Sequence, residues 1–124
     1  MLGNQGGSML LPKVLVVDDF ELVLDAIELV LSRRGFNPSL ATDGSTAWSM
    51  IQSSDYALVI TDLLMPGLNG IELIRRIKEH CPETRVVAIS GAGFEMLEAA
   101  RAAGADLALA KPFSPAEMFE ACGG

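Results

Sequence analysis

Hydrophobic positions along the chain come in two alternating rhythms. Lys13-Val14-Leu15-Val16-Val17 is a nearly continuous apolar run closed by Asp18-Asp19, and it predicts a buried strand. Over residues 20–34, Leu22, Val23, Ala26, Ile27, Val30 and Leu31 recur at helical spacing. Arg33 and Arg34 suit the C-terminal end of that helix, and Gly35 is placed to cap it. Phe36 to Ala41 predicts a second, weaker strand, and Gly44 to Ser53 a short helix with Ala47, Met50 and Ile51 on one face. Tyr56 to Thr61 is a third buried strand, with Asp62 following at its end. Pro66-Gly67 and Asn69-Gly70 mark residues 63–70 as a loop. Ile71 to Cys81 then carries Ile71, Ile74 and Ile77 on one stripe until Pro82 stops the helix. Arg85 to Ile89 predicts a fourth strand ending in Ser90-Gly91, and Phe94 to Ala103 an Ala-rich helix terminated by Gly104. Ala105 to Ala110 predicts a fifth strand ending at Lys111-Pro112. Ser114, Pro115 and Glu117 then take the cap, first and third positions of a last short helix. Strands separated by helices in this way predict an α/β fold, a parallel sheet with helices on both faces.

Composition narrows the class. Half of the 124 residues are hydrophobic and 6% are aromatic, so the core is expected to be Val, Ile, Leu and Ala, as suits a doubly covered sheet. The length suits one domain, residues 12–124, preceded by a Gly- and Ser-bearing segment, residues 1–11, expected to be a flexible tail. Nine Lys and Arg against 16 Asp and Glu give a formal net charge of −7, which argues against direct nucleic-acid binding. No apolar run is long enough for membrane insertion, and the N-terminus lacks the features of a secretion signal, so a cytoplasmic location is expected. Cys81 and Cys122 form no CxxC pair and are expected to be reduced. His80, the only histidine, reads as a solvated cation near a helix end, which leaves a zinc site or a hydrolase triad without support.

The polar residues that matter follow the strands. Asp18-Asp19, Asp62, Ser90 and Lys111 come at the ends of four of the five predicted strands. In an open parallel sheet those ends form one ligand-binding edge, so these distant positions are expected to converge. Three crowded carboxylates repel one another, each pair by roughly 4 kcal/mol at an effective dielectric near 20. A hard divalent cation relieves this, and an all-oxygen ligand set with open water positions suits Mg²⁺. A carboxylate beside such an ion can attack phosphorus to give an acyl phosphate. The three phosphoryl oxygens then need partners, and Mg²⁺, the Ser90 hydroxyl and the Lys111 ammonium supply them. Taken singly, Asp18-Asp19 reads as a helix cap, Asp62 as a turn residue, Ser90-Gly91 as a loop start and Lys111 as a solvated charge. Together they describe reversible aspartyl phosphorylation.

Four blocks carry a resemblance to a known family: Val16-Val17-Asp18-Asp19, Ile60-Thr61-Asp62 through Asn69-Gly70, Ile89-Ser90-Gly91 and Ala110-Lys111-Pro112-Phe113. In order, and over residues 13–119, they resemble the motif blocks of response-regulator receiver domains of two-component signalling. The resemblance implies a flavodoxin-like, doubly wound five-stranded parallel sheet of order 2-1-3-4-5 flanked by five helices. It implies a signalling switch rather than an enzyme, taking a phosphoryl group from a histidine kinase or histidine phosphotransfer protein and acting on a downstream protein. Asp62 resembles the phospho-acceptor, Asp19 the direct Mg²⁺ ligand and Asp18 an acidic partner acting mainly through water. Leu64 is expected to offer the metal its backbone carbonyl. Ser90 resembles the hydroxyl that follows the phosphoryl group, and Lys111 the lysine that bridges to it. The Lys111-Pro112 bond is often cis in such domains.

The chain also departs from the family pattern. Ala108 stands where a switch aromatic is common, so any signal from Ser90 is expected to pass through residues 91–94 and the following helix. Leu64 and Ala92 stand where side chains often tune loss of the phosphoryl group, and slow autodephosphorylation is expected. Phe94, Met96, Leu97, Phe113 and Met118 offer candidates for a docking face, although core packing is the default for most. Two rival readings are a pseudo-receiver that binds without phosphorylation and an Asp-nucleophile phosphohydrolase. The intact acidic pair, Asp62, Ser90 and Lys111 weigh against the first. Leu64, at the place of the usual second acid, weighs against the other. Homodimer formation, the cognate kinase and the target are left open.

Overall fold

The computed structural model describes residues 12–123, so the segment read as a flexible tail and the final Gly124 lie outside the described residues. Five strands and five helices alternate: β1 Val14–Val17, α1 Glu21–Ser32, β2 Ser39–Ala41, α2 Gly44–Ser53, β3 Leu58–Asp62, α3 Gly70–His80, β4 Arg85–Ser90, α4 Phe94–Ala103, β5 Leu107–Ala110 and α5 Pro115–Ala121. All strand pairs are parallel, and the sheet order is β2-β1-β3-β4-β5. This is the flavodoxin-like topology that the resemblance implied.

Successive side chains of a strand point to opposite faces, and that alternation builds two cores. Leu15 and Val17 of β1 join Val59, Leu73, Ile74, Ile77, Val86 and Ala100 beneath α2, α3 and α4. Val14 and Val16 join Leu24, Ile27, Leu31, Ile60, Val87, Ile89 and Met118 beneath α1 and α5. Every residue of β1 and β3 is buried, as doubly covered strands require.

Element boundaries differ from the sequence reading at several places. The second strand begins at Ser39, not Phe36, the third at Leu58 and the fifth at Leu107, because only there does the chain reach ladder pairing. Helix α1 closes at Ser32, and Arg33 is its C-cap rather than a residue of its last turn. Gly35 follows at φ 90°, a left-handed conformation that suits glycine. Asp62 and Ser90 are the last residues of their strands. Gly70, read as loop, is the first residue of α3, and the Asn69 side chain caps that helix by accepting from the Glu72 N–H at 3.0 Å. Ser114 and Glu117 form the expected capping box, which starts the seven-residue α5. Met118, a docking candidate on the sequence alone, is fully buried and anchors α5 to the sheet. The Arg34 guanidinium lies 3.8 Å from the Phe119 ring centroid and ties the end of α1 to the same helix. Among the described residues, no helix is long and apolar enough to cross a membrane. Both cysteines are free, and burial pushes the Cys122 thiol up to about 11, so it is protonated at neutral pH.

Candidate functional site

Parallel register brings the strand-end residues together. Val17 of β1 pairs with Thr61 of β3, so Asp18 leaves its strand level with Asp62. Asp62 pairs with Ile89, which sets Ser90 one residue further along β4. Ser90 pairs with Ala110, and the Lys111 N–H donates to the Ser90 carbonyl at 2.9 Å. Because β2 lies outside β1, the helices leave β1 and β3 towards opposite faces, and the crevice opens at this switch point.

Carboxylate oxygens of Asp18, Asp19 and Asp62 all lie within 4.8 Å of one another. Asp18 has no exposed surface, Asp62 is buried, and Asp19 faces solvent. A buried carboxylate must be paired, and Asp18 is: its Oδ1 accepts from the Phe20 N–H at 2.9 Å and its Oδ2 from Lys111 Nζ at 2.9 Å. Asp18 does not cap α1, whose cap position is Phe20 with no side-chain bond. Asp62 Oδ1 accepts from the Leu63 N–H at 2.8 Å, while Lys111 Nζ lies 3.5 Å from Asp62 Oδ2. Burial pushes the Asp62 carboxyl above its ordinary value and the Asp18 charge adds to this, against the Leu63 N–H and Lys111. The Ser90 oxygen accepts from the Ala92 N–H at 3.0 Å, which leaves its proton free to donate. The Lys111-Pro112 peptide is cis.

Asp18, Asp19, Asp62 and Lys111 thus come together at this edge, with Ser90 at the end of the adjacent strand. Leu64 lies two residues beyond Asp62 with its side chain 57% exposed. Ala108 is buried in the core under α4, away from the crevice mouth. Sequence reasoning passed over the backbone donors of Phe20, Leu63 and Ala92, which orient Asp18, Asp62 and Ser90. Main-chain amides carry no residue-specific signal, so nothing in the sequence marks them. It read Gly70 only as a turn residue, whereas a Cβ there would lie 2.1 Å from the Asp62 carbonyl oxygen. The donor set is all oxygen, clustered and open to solvent on the Asp19 side, which fits a hard divalent cation.

Comparison with known proteins agrees with this geometry. The response regulator receiver domain family matches residues 14–122, and the chain belongs to that family. It is a receiver domain of two-component signalling. Chemotaxis protein CheY-3 of Vibrio cholerae is 35% identical over 114 residues, which cover 87% of this chain and 86% of the relative. The transcriptional regulatory protein SrrA of Staphylococcus aureus is 29% identical over 107 residues, 86% of this chain but 44% of the relative's length. The receiver domain of NtrX from Brucella abortus superposes with a TM-score of 0.84 at 33% identity, covering 89% of this chain and 94% of that one.

Proposed function

We propose that Asp62 accepts a phosphoryl group in a Mg²⁺-dependent reaction and that the domain thereby switches a protein-interaction face. The observation that carries this reading is the convergence of three carboxylates within 4.8 Å beside an ammonium 2.9 Å from one and 3.5 Å from another. Asp19, Asp62 and the Leu64 carbonyl would hold Mg²⁺, with Asp18 acting mainly through water. Bound there, Mg²⁺ supplies charge neutralisation for the carboxylates and the transferring phosphoryl oxygens.

The chain's own groups do the rest. An Asp62 carboxylate oxygen forms a bond to phosphorus as the donor's phosphorus–nitrogen bond breaks. The imidazole leaves with that electron pair and keeps the proton on its other nitrogen. Lys111 meets one phosphoryl oxygen and the Ser90 hydroxyl donates to another. The Leu63 N–H holds the attacking carboxylate in place before transfer. The donor is a histidine kinase or histidine phosphotransfer protein, the readout is contact with a downstream protein, and the setting is cytoplasmic. The domain is a switch and not a turnover enzyme. We assign residues 12–124 to the receiver unit.

The test is the mass of the intact chain after incubation with acetyl phosphate and Mg²⁺. One phosphoryl adduct is expected, absent from Asp62→Ala and absent without Mg²⁺. A folded chain that neither gains the adduct nor binds Mg²⁺ would overturn the reading in favour of phosphorylation-independent binding.

A further inference from the structure

The loop between β3 and α3, residues 63–70, is held at three places. At its base the Gly70 N–H donates to the Leu63 carbonyl at 2.9 Å. At its middle Met65 is buried in the core beneath α2, α3 and α4. At its far side the loop rests on the start of α2. A Cβ added to Gly44 would lie 1.8 Å from the Leu68 carbonyl oxygen, 2.8 Å from the Leu68 carbonyl carbon and 3.1 Å from Leu68 Cβ. A Cβ added to Gly67 would lie 3.2 Å from Ser45 Oγ. Between these holds, Leu64, Pro66 and Gly67 are exposed.

Gly44 answers no local need. It is buried at the first position of α2 and lacks the positive φ that Gly35, Gly67, Gly93 and Gly104 adopt. Ala is favoured over Gly in a helix, so local propensity argues against glycine here. What a side chain would lack is space, because the Leu68 backbone occupies it. The two sides of this contact are unequal. Helix α2 is fixed by its cap, where Asp43 accepts from the Thr46 N–H at 2.8 Å and from the Thr46 hydroxyl at 2.9 Å, and by buried Ala47 and Ile51. The loop has an exposed surface and is the side that must yield. The same corner of the chain also braces the other flank of the crevice, since the Ala41 carbonyl at the end of β2 accepts from the Asp18 N–H at 3.1 Å.

We propose that Gly44 is a positioning residue for the metal. By letting Leu68 seat directly on α2, it sets the stretch of loop whose Leu64 carbonyl joins Asp19 and Asp62 around Mg²⁺. This inference rests on the Mg²⁺-dependent reading of Asp62 given above. Mg²⁺ is small and demands near-octahedral geometry, whereas Ca²⁺ accepts a looser and more varied oxygen set. A loop pushed off its seat therefore costs Mg²⁺ binding more than Ca²⁺ binding. A general loss of stability carries no such preference between the two ions.

Amide resonances of the full chain, followed through titrations with Mg²⁺ and separately with Ca²⁺, test it. In the metal-free protein, Gly44→Ala is expected to shift the amides of residues 64–69. Its Mg²⁺ affinity is expected to fall about tenfold, and its Ca²⁺ affinity by a smaller factor. Ile51→Val, which trims a buried side chain near the other end of α2, is expected to lower the thermal midpoint and to leave both affinities unchanged. A Gly44→Ala chain that binds Mg²⁺ as the wild type does would overturn the proposal and leave the reading of Asp62 standing. Equal losses for the two ions, or the same Mg²⁺ loss in Ile51→Val, would overturn it by making the effect one of stability. A wild type that binds no Mg²⁺ would overturn the reading of the site and this inference with it. If Gly44→Ala does not fold, Gly67→Ala is compared with Gly67→Ala/Ser45→Gly, which removes the nearest atom of α2. Recovery of Mg²⁺ affinity in the double variant supports the seat on α2, and no recovery overturns it.

Discussion

Leu64 and Ala92 stand near the acidic crevice with side chains that neither donate nor accept a hydrogen bond. Water that approached the acyl phosphate proposed at Asp62 would find no hydrogen-bond partner in either side chain to orient it. The phosphoryl group is therefore expected to be long-lived, and Leu64→Asn to shorten its half-life several-fold, as followed by intact mass after removal of the donor. A longer half-life in that variant would contradict the argument. Far from the crevice, Asp106 shows how one carboxylate holds three segments. Its Oδ2 accepts from the Val86 N–H and from Lys78 Nζ, both at 2.8 Å, and Lys78 also donates to the Thr84 carbonyl at 2.7 Å. Burial acts to raise the Asp106 pKa, but the bonds from Lys78 and Val86 and the charges of Lys78 and Arg85 outweigh it and hold it below its ordinary 3.8. A lowered folded value means that ionised Asp106 stabilises the fold fully above pH 3.8 and loses that contribution as pH falls through the lowered value. Urea unfolding of the wild type and Asp106→Asn is expected to differ most at neutral pH and to converge in acid.

At the scale of elements, the start of α3 lies directly on the end of β3. A Cβ on Gly70 would sit 2.1 Å from the Asp62 carbonyl oxygen and 2.6 Å from Leu63 Cα, which are backbone atoms with no rotamer to yield. Gly70→Ala is expected to cost about 3 kcal/mol in urea unfolding. It is also expected to weaken Mg²⁺ binding, because relief of the clash moves Asp62. Asn69-Gly70 reads locally as a turn, and that reading missed both the Asn69 cap and the close approach. Turn signals report what the backbone is allowed to do, and the reason for a small residue lies in a segment seven or eight positions away. The capping box at Ser114 was legible because all its partners lie within one helical turn. The early parts of β2, β3 and β5 were misread as strand for the converse reason. Tyr56 and Ala105 pack on the core, but ladder pairing starts later.

Over the whole molecule, the path from the crevice to the surface must do without an aromatic at Ala108. The Ser90 hydroxyl is tied to the Ala92 N–H, and Gly93 at φ 101° joins that loop to α4, where Phe94 is 72% exposed. Phosphorylation is expected to shift amide resonances from Gly91 through α4 to Ala110. A spectrum unchanged over that stretch would mean that the signal leaves by another route. The alternation of elements, the two-faced burial of β1 and β3 and the polar residues at four of the five strand ends were determined by the sequence itself, because apolar periodicity reports burial and needs no knowledge of neighbours. Which strands are neighbours is another matter, since a buried run looks the same beside any partner, and strand order came from family resemblance alone. Only the tertiary structure decided that Val17 lies level with Thr61 and Asp62 with Ile89. That register, set by how two helical layers pack on one sheet, brings Lys111 within 2.9 Å of Asp18 across 93 positions of chain.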